Sequence, residues 1–219
     1  MKENKTKRNL ELSTIEGSFW AIMYGAGETF LSAFFVFLQF SAFQISFLNS
    51  FPQFIGSCFQ LLSSIIKNRF KTIKHFVVMV SYLQAFFWLV LVLLTLYNPS
   101  YYLILMWVSL YWMVASIIAP AWTAWMGYFV PRRLRARYFG KRNRIIGFVS
   151  FITTLIAGYT LDVFDKNMIY GFIIIFFVAF IGRFISAFYL SKKYDFDEKE
   201  KGNIVEYLYS FKNLISDKN

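Results

Sequence analysis

The chain has 219 residues, of which 58% are hydrophobic and 16% are charged, with 28 phenylalanines. A water-soluble domain carries about 25% charged and about 45–50% apolar residues, so this composition excludes an ordinary soluble enzyme or binding domain. The net charge is +11 at pH 7, but the positive residues are grouped between apolar runs. That grouping argues against a nucleic-acid-binding face and predicts a protein embedded in a lipid bilayer.

The N-terminal region predicts a polar tail followed by a membrane span. Residues 1–17 are polar, and an apolar run follows over residues 18–40. That run is longer than the roughly 7–15 apolar residues of a cleavable signal peptide. We therefore expect the first span to be retained in the mature protein.

Six apolar runs are long enough to cross a hydrocarbon core of about 30 Å as α-helices, which takes about 20 residues at 1.5 Å each. Strands of membrane barrels are about half as long, so the runs predict an all-α membrane protein, a bundle of six transmembrane helices over 18–190. Residues 191–219 are charged with apolar residues at helical spacing, which predicts a linker with an amphipathic helix. The predicted spans are residues 18–40, 45–66, 75–97, 101–128, 145–164 and 168–190.

The positive charges predict the orientation of the bundle. All but two of the 23 Lys and Arg residues lie in the two tails and in the second and fourth connections; the exceptions are Lys166 and Arg183. Connections rich in Lys and Arg face the cytoplasm. The pattern therefore predicts a multi-pass protein of the cell (plasma) membrane with both termini cytoplasmic.

A carboxylate lies near the middle of the first predicted span. An ionised group at that depth costs roughly 2.5–3.5 kcal/mol on insertion scales, so Glu28 should face a cavity or a partner. Helical spacing places Tyr24, Glu28, Ser32 and Gln39 on one face. We interpret this face as part of a substrate or coupling-ion path; the alternative is a protonated Glu28 that is hydrogen-bonded to a neighbouring helix and has no transport role.

The second predicted span has polar residues at steps of three and four over residues 46–64, among them Gln53 and Ser57. Such a stripe fits helix–helix contacts, each bond worth about 0.6 kcal/mol on average, or a water-lined path. Because Glu28 and Gln53 both lie near mid-depth, we predict a polar cavity that they share.

The fourth predicted span adds Trp112 and Ser116 to this path. They lie one turn apart and on one face with Pro120, which removes a helix hydrogen bond and can bend the span. Bent helices beside a midplane site are a recurrent feature of transporters.

No pattern predicts an enzyme, a metal site or a cofactor. The only histidine, His75, lies at a loop edge, and no glycine-rich phosphate loop or paired metal ligands occur. The only cysteine, Cys58, lies in an apolar run, where we expect it to pack. Arg183 lies about two turns from the inner end of the sixth span, close enough for its side chain to reach the membrane surface.

The fourth connection carries a short motif: Pro131, Arg135 four residues on, then Gly140 and Arg142. This spacing resembles the connection between helices four and five in the N-terminal half of major facilitator superfamily (MFS) transporters. The six-helix count and the inward-facing ends extend the resemblance over most of the chain. It implies a bundle that rocks against a second bundle around a midplane site, and a role in conformational switching for Arg69, Pro131, Arg135, Gly140 and Arg142.

Two departures from the MFS pattern limit what the resemblance implies. Between the second and third spans, Arg69 is kept, but Asn68 stands in place of the motif's aspartate and Lys71 in place of its second glycine. The fourth span also lacks the buried arginine, and the fifth lacks the glycine-proline pattern, of many proton-driven drug antiporters. Exchange of drugs for protons is therefore not expected.

Our leading interpretation is a secondary transporter of an unidentified small solute. The tail after residue 190 resembles the linker that leads to the seventh MFS helix, so we expect an incomplete N-terminal half that needs the bilayer and a second six-helix bundle. One alternative is a membrane scaffold or assembly protein without transport activity. Another is a half-transporter that works as a homodimer, which is geometrically allowed because MFS halves share one orientation.

Overall fold

The computed structural model describes residues 2–97, 99–130 and 132–195, and it contains no β-strand within them. Short 3-10 turns at Glu28–Phe30, Arg132–Leu134 and Asp165–Asn167 connect some of the helices. The amphipathic helix predicted in the C-terminal linker lies outside the described residues. The α-helices are α1 (Lys2–Ala26), α2 (Leu31–Phe37), α3 (Ala42–Gln60), α4 (Ser63–Lys67), α5 (Ile73–Thr95), α6 (Tyr101–Phe129), α7 (Arg135–Val163) and α8 (Met168–Ser191).

Five helical segments in the described part of the chain are long and apolar enough to cross a membrane, which confirms the prediction of an all-helical, membrane-embedded protein. The second predicted span is not among the five. Its helix α3 has only 19 residues and carries the polar stripe, which lowers its hydropathy. A six-span count therefore stays a prediction. The five segments are Thr6–Phe37, Ile73–Thr95, Tyr101–Phe129, Arg135–Val163 and Asp165–Ser191.

The first span differs from the prediction at both ends. Helix α1 begins at Lys2, so most of the polar residues expected in a tail are helical. Asn9, Ser13 and Glu16 are buried there although they are polar. These residues accept hydrogen bonds from α7 and from the residues after α8. The tertiary contacts therefore support a helix that begins well before the apolar run.

The first span is also interrupted next to its buried carboxylate. Helix α1 ends at Ala26, and the Glu28–Phe30 turn leads into α2. At Gly27 the ring of Trp88 packs so closely that a Cβ atom would lie 2.5 Å from it. The sequence predicted one regular helix here, and the structure shows that it is interrupted at the contact between Gly27 and Trp88 of α5.

The basic fourth connection is shorter than expected. Helix α6 ends at Phe129 and α7 already begins at Arg135, so Arg135, Gly140 and Arg142 lie on the first turns of α7. The Arg135 guanidinium donates from Nε to the carbonyl of Val130 (3.1 Å) and from Nη2 to that of Gly127. It thereby satisfies carbonyls at the end of α6, where helices have no internal donors.

Helix α1 packs against α7 and α8, while α5 packs against α8 and α6, and α3 against α6. One apolar cluster contains Trp88, Trp107 and Phe176, and a second contains Phe76 and Trp125. Along α5 the buried polar residues Ser81 and Gln84 fall between these clusters, so at this depth the fold has a polar layer between two apolar ones.

Candidate functional site

The polar layer contains a cavity of about 430 Å³ lined by residues from most of the described helices. Among the described residues, four ionisable side chains face it: Glu16 and Glu28 from the first span, Arg142 from α7 and Arg183 from α8. Its remaining walls are aromatic, polar and small. They include Trp20, Gln60, Gln84, Trp112, Ser116, Trp122 and Thr123.

Glu28 is held at one end of the cavity by a chain of hydrogen bonds. The Tyr111 hydroxyl of α6 donates to Glu28 Oε1 (2.5 Å) and accepts from Gln84 Nε2 of α5 (3.0 Å). Tyr111 is fully buried and Gln84 is 3% exposed. The carboxylate that begins the 3-10 turn is therefore fixed to two neighbouring helices.

Glu16 is the acceptor for a second cluster. Its Oε1 atom lies 3.0 Å from Arg142 Nη2, 3.4 Å from Lys193 Nζ and 3.1 Å from Trp122 Nε1, and each of these nitrogens donates to it. The glutamate is 3% exposed. One buried carboxylate thus joins α1 to α6, to α7 and to the segment after α8.

Arg183 is fixed by serines inside the bundle. Its Nη2 donates to Ser81 Oγ (3.0 Å) and its Nη1 to Ser186 Oγ (3.2 Å), and it is 3% exposed. The expectation that this side chain reaches the membrane surface is wrong. Next to it, Gly182 of α8 packs tightly on α1: a Cβ added there would lie 3.0 Å from Met23 N and from Phe19 O. The two helices are therefore in direct backbone contact beside Arg183.

Lys193 brings a third cation to the cluster. Its ammonium lies 5.4 Å from the ring centre of Trp125 and 5.7 Å from that of Trp122. Burial lowers the pKa of Lys193 to about 8, although the carboxylate of Glu16 favours the charged form. The residue is therefore mostly charged at neutral pH in a largely apolar setting.

Several predicted path residues do meet at the cavity: Glu28, Trp112 and Ser116 line it. Helix α3 comes very close there, since a Cβ on Gly56 would lie 2.6 Å from Ser116 Oγ. Tyr24 does not line the cavity. It is 41% exposed and stacks on Trp20, which does.

The other predicted path residues lie elsewhere. Asn49 Nδ2 donates to Ser32 Oγ (3.0 Å), which holds α2 against α3. Gln39 lies in the turn between those helices, at a φ of 60°. Gln53 and Ser57 are exposed on α3, and the Ser57 hydroxyl donates to the Gln53 carbonyl (2.9 Å). The cavity is therefore not shared by Gln53, because α3 turns most of its stripe outward.

The predicted switch residues have different surroundings. Arg142 reaches the cavity, with its guanidinium carbon 4.6 Å from the ring centre of Trp122. Arg69 and Gly140 are exposed, and Pro131 lies outside the described residues. The expectation that Cys58 packs in the interior is wrong, since its side chain is exposed on α3.

Sequence reasoning missed four groups of the site: Glu16, Gln84, Tyr111 and Lys193. Glu16 carried a usable signal, because residues 16, 20, 24 and 28 follow one another at steps of four on one helical face. Extending that face by two turns would have added Trp20 and Glu16. The local sequence contains no comparable signal for Lys193, which joins the site only through the tertiary fold.

Within the described residues, no group of three His, Cys, Asp or Glu side chains could hold a metal ion. No family model, curated protein or solved structure matches this chain. The cavity and its charged groups are therefore the features of this chain that bear on its function.

Proposed function

We propose that the chain forms one six-helix bundle of a secondary transporter and that its cavity is the binding site for a small solute. The observation that supports this most directly is the presence of two carboxylates and two arginines around a cavity of about 430 Å³ inside apolar helices. Charged groups at such positions are costly, and they mark substrate or ion pathways in membrane proteins. The volume falls within the roughly 300–1,000 Å³ of small-molecule sites.

The proposal includes α3 as the sixth span and a second bundle as its partner. The outward stripe of α3 includes Ser46, Ser50, Gln53 and Ser57, all exposed. Lipid is a poor neighbour for these groups, whereas a second bundle or a water-filled cleft would satisfy them. This is the arrangement of an MFS-type transporter, in which two bundles rock around a central site.

Glu28 is assigned to the substrate or coupling-ion path, together with Trp112 and Ser116. The test compares Glu28→Gln with Glu11→Gln, a change at an exposed position of the same membrane span. Both are expressed with the native second bundle, and electrogenic flux is recorded on solid-supported membranes during challenge with a panel of small solutes.

We expect saturable currents from the wild-type protein and from Glu11→Gln, and none from Glu28→Gln at equal abundance. Loss of folded Glu28→Gln protein would instead assign this residue to structure. Wild-type membranes that stay silent across the panel would favour a scaffold.

A second candidate function, a membrane scaffold, is favoured by the Ser32–Asn49 contact and the α3 stripe, since polar groups also hold helices together in lipid. A further alternative is the half-transporter that works as a homodimer. Because Cys58 is exposed on α3, mild oxidation of native membranes tests whether a second copy of the chain lies against this face. A Cys58-linked dimer would identify a second copy as the partner at this face.

A further inference from the structure

The ionisable groups around the cavity do not balance. Among the described residues that line the cavity or contact its lining, Arg142, Arg183 and Lys193 face two carboxylates, Glu16 and Glu28. With all five ionised, one positive charge remains. A buried charge without a partner is costly, so the site is arranged to accept one negative charge more than it contains.

Arg183 lines this cavity and has one donor, its Nε atom, that no described residue accepts. A guanidinium has five N–H groups in a planar fork. Two of them bond to Ser81 and Ser186, whereas the Nε atom is buried and has no hydrogen-bond partner in the described part of the chain. Arg142, by comparison, already donates to Glu16 and to the carbonyl of Ser13.

The cavity that Arg183 lines also has room for an apolar group. Trp20, Trp112 and Trp122 line the same space of about 430 Å³. Indole rings offer flat apolar surfaces on which another ring or a short aliphatic chain packs. Charge and shape together therefore describe a ligand with one anionic end and one apolar end.

We propose that the cavity binds a small organic monoanion, with its carboxylate on Arg183 and its apolar body against the tryptophans. This rests on the proposed transport function and names its substrate class. A carboxylate matches the planar donor edge of a guanidinium. A monoanion also leaves the five ionisable groups and the ligand neutral as a set.

The binding test uses the full chain in nanodiscs of phosphatidylcholine, which has no net charge. Benzoate is the probe, benzamide its uncharged analogue, benzylamine the cationic one and phenyl phosphate the dianionic one. Isothermal titration calorimetry and tryptophan fluorescence report binding. We expect one saturable benzoate site per chain, with benzamide at least about tenfold weaker because it lacks the charge-assisted hydrogen bond. Benzylamine should not bind, and phenyl phosphate should bind more weakly than benzoate.

Substitutions at two positions, Arg183 and Glu28, should change benzoate binding in opposite directions. Arg183→Gln should weaken benzoate binding at least about tenfold, and Arg183→Lys should restore part of it by keeping the charge. Glu28→Gln removes a negative charge from the lining and should tighten benzoate binding severalfold, an effect that loss of folding cannot imitate. Arg137→Gln, at an exposed position on α7, is the matched control and should bind like the wild type.

Absence of benzoate binding by the folded wild-type chain, or equal binding of benzamide, would overturn the inference. So would stronger phenyl phosphate binding, or displacement of benzoate in nanodiscs that contain phosphatidylglycerol, since these results assign the site to phosphate or to a lipid headgroup. Benzoate binding without any flux would support the anion site and refute transport. Flux of an uncharged solute without benzoate binding would do the reverse.

Discussion

Glu16 is a buried hydrogen-bond acceptor that the sequence analysis did not identify. A single carboxylate oxygen receives donors from Arg142, Lys193 and Trp122. The two cations belong to different segments of the chain, since Arg142 lies near the start of α7 and Lys193 follows α8. At the residue scale, the stability of the bundle should therefore depend strongly on this one side chain.

Glu16→Ala is predicted to lower the free energy of unfolding in detergent by about 3–5 kcal/mol, the usual effect of leaving a buried ion-pair partner alone. The matched control is Glu11→Ala on the exposed side of α1, expected to change stability by less than about 0.5 kcal/mol. Chemical unfolding followed by tryptophan fluorescence measures both. Similar small effects for the two variants would show that the Glu16 cluster contributes little net stability.

Lys193 gives a pH prediction. Its pKa is lowered from 10.5 to about 8 in the folded protein, so between those values the unfolded chain holds a proton that the folded chain has released. The free energy of unfolding contributed by this residue therefore rises with pH from about 8 to about 10.5. Lys193→Met should remove that rise, whereas Lys192→Met, at an exposed position, should keep it. Unfolding measured at pH 7.5, 8.5 and 9.5 tests this, and identical profiles for all three proteins would refute it.

At the scale of helices, the α6–α7 turn and the α3–α6 contact are held by different interactions. Arg135 closes the turn by bonding to two carbonyls near the end of α6. At the other contact, Gly56 allows α3 to approach Ser116 of α6. The role of the turn is tested by a substitution of Arg135, and the closeness of the contact by a substitution of Gly56.

Arg135→Lys is predicted to keep the orientation of the protein and to slow transport severalfold. Lysine preserves the charge but lacks the planar set of donors that reaches both Val130 and Gly127. Arg137→Lys provides the control on the same helix. Flux at the original rate, with orientation unchanged, would leave this basic segment as a topology signal alone.

Gly56→Ala is predicted to destabilise the bundle by about 1–3 kcal/mol, because the added Cβ would lie 2.6 Å from Ser116 Oγ and 2.7 Å from the Trp112 carbonyl oxygen. Gly147→Ala is the control: nothing lies within 4 Å of its added Cβ, and alanine favours helix by up to about 1 kcal/mol. Thermal unfolding should therefore move in opposite directions for the two variants. A shift of the same sign would show that α3 can move away from α6 without loss.

Elements of the fold that depend on local pattern were predictable. Apolar runs alone placed the starts of α6 at Tyr101 and α8 at Met168. Features that depend on distant contacts were not: the break at Gly27 arises from Trp88, and the burial of Arg183 arises from serines on two helices. For the site, Glu28, Trp112 and Ser116 followed from helical spacing, whereas Lys193 required the assembled bundle.

At the scale of the whole molecule, the distribution of positive charge predicts an orientation that the fold does not by itself determine. Basic residues gather at one end of each span, near the start of α1, between α4 and α5, at the start of α7 and after α8. Translocation of such segments is disfavoured. We therefore expect these ends to face the cytoplasm.

The measurement replaces Cys58 with Ser and places single cysteines at Asn98 or at Lys141. Intact cells are then treated with an impermeant thiol reagent. Asn98→Cys should be labelled from outside, and Lys141→Cys only after the membrane is permeabilised. The opposite pattern would contradict the orientation, and labelling of both in intact cells would contradict a single topology.

Asn9 and Tyr194 form a reciprocal pair: Tyr194 N donates to Asn9 Oδ1 (2.8 Å) and Asn9 Nδ2 donates to the Tyr194 carbonyl (3.2 Å). Together with the Glu16–Lys193 contact, this pair joins the first helix to the residues that follow the last one. During synthesis, α1 leaves the ribosome long before Lys193 is translated. The nascent chain must therefore hold Glu16 without Lys193 until α8 has been made. Throughout that interval the buried carboxylate lacks one of its partners, and membrane quality control can recognise the unfinished bundle.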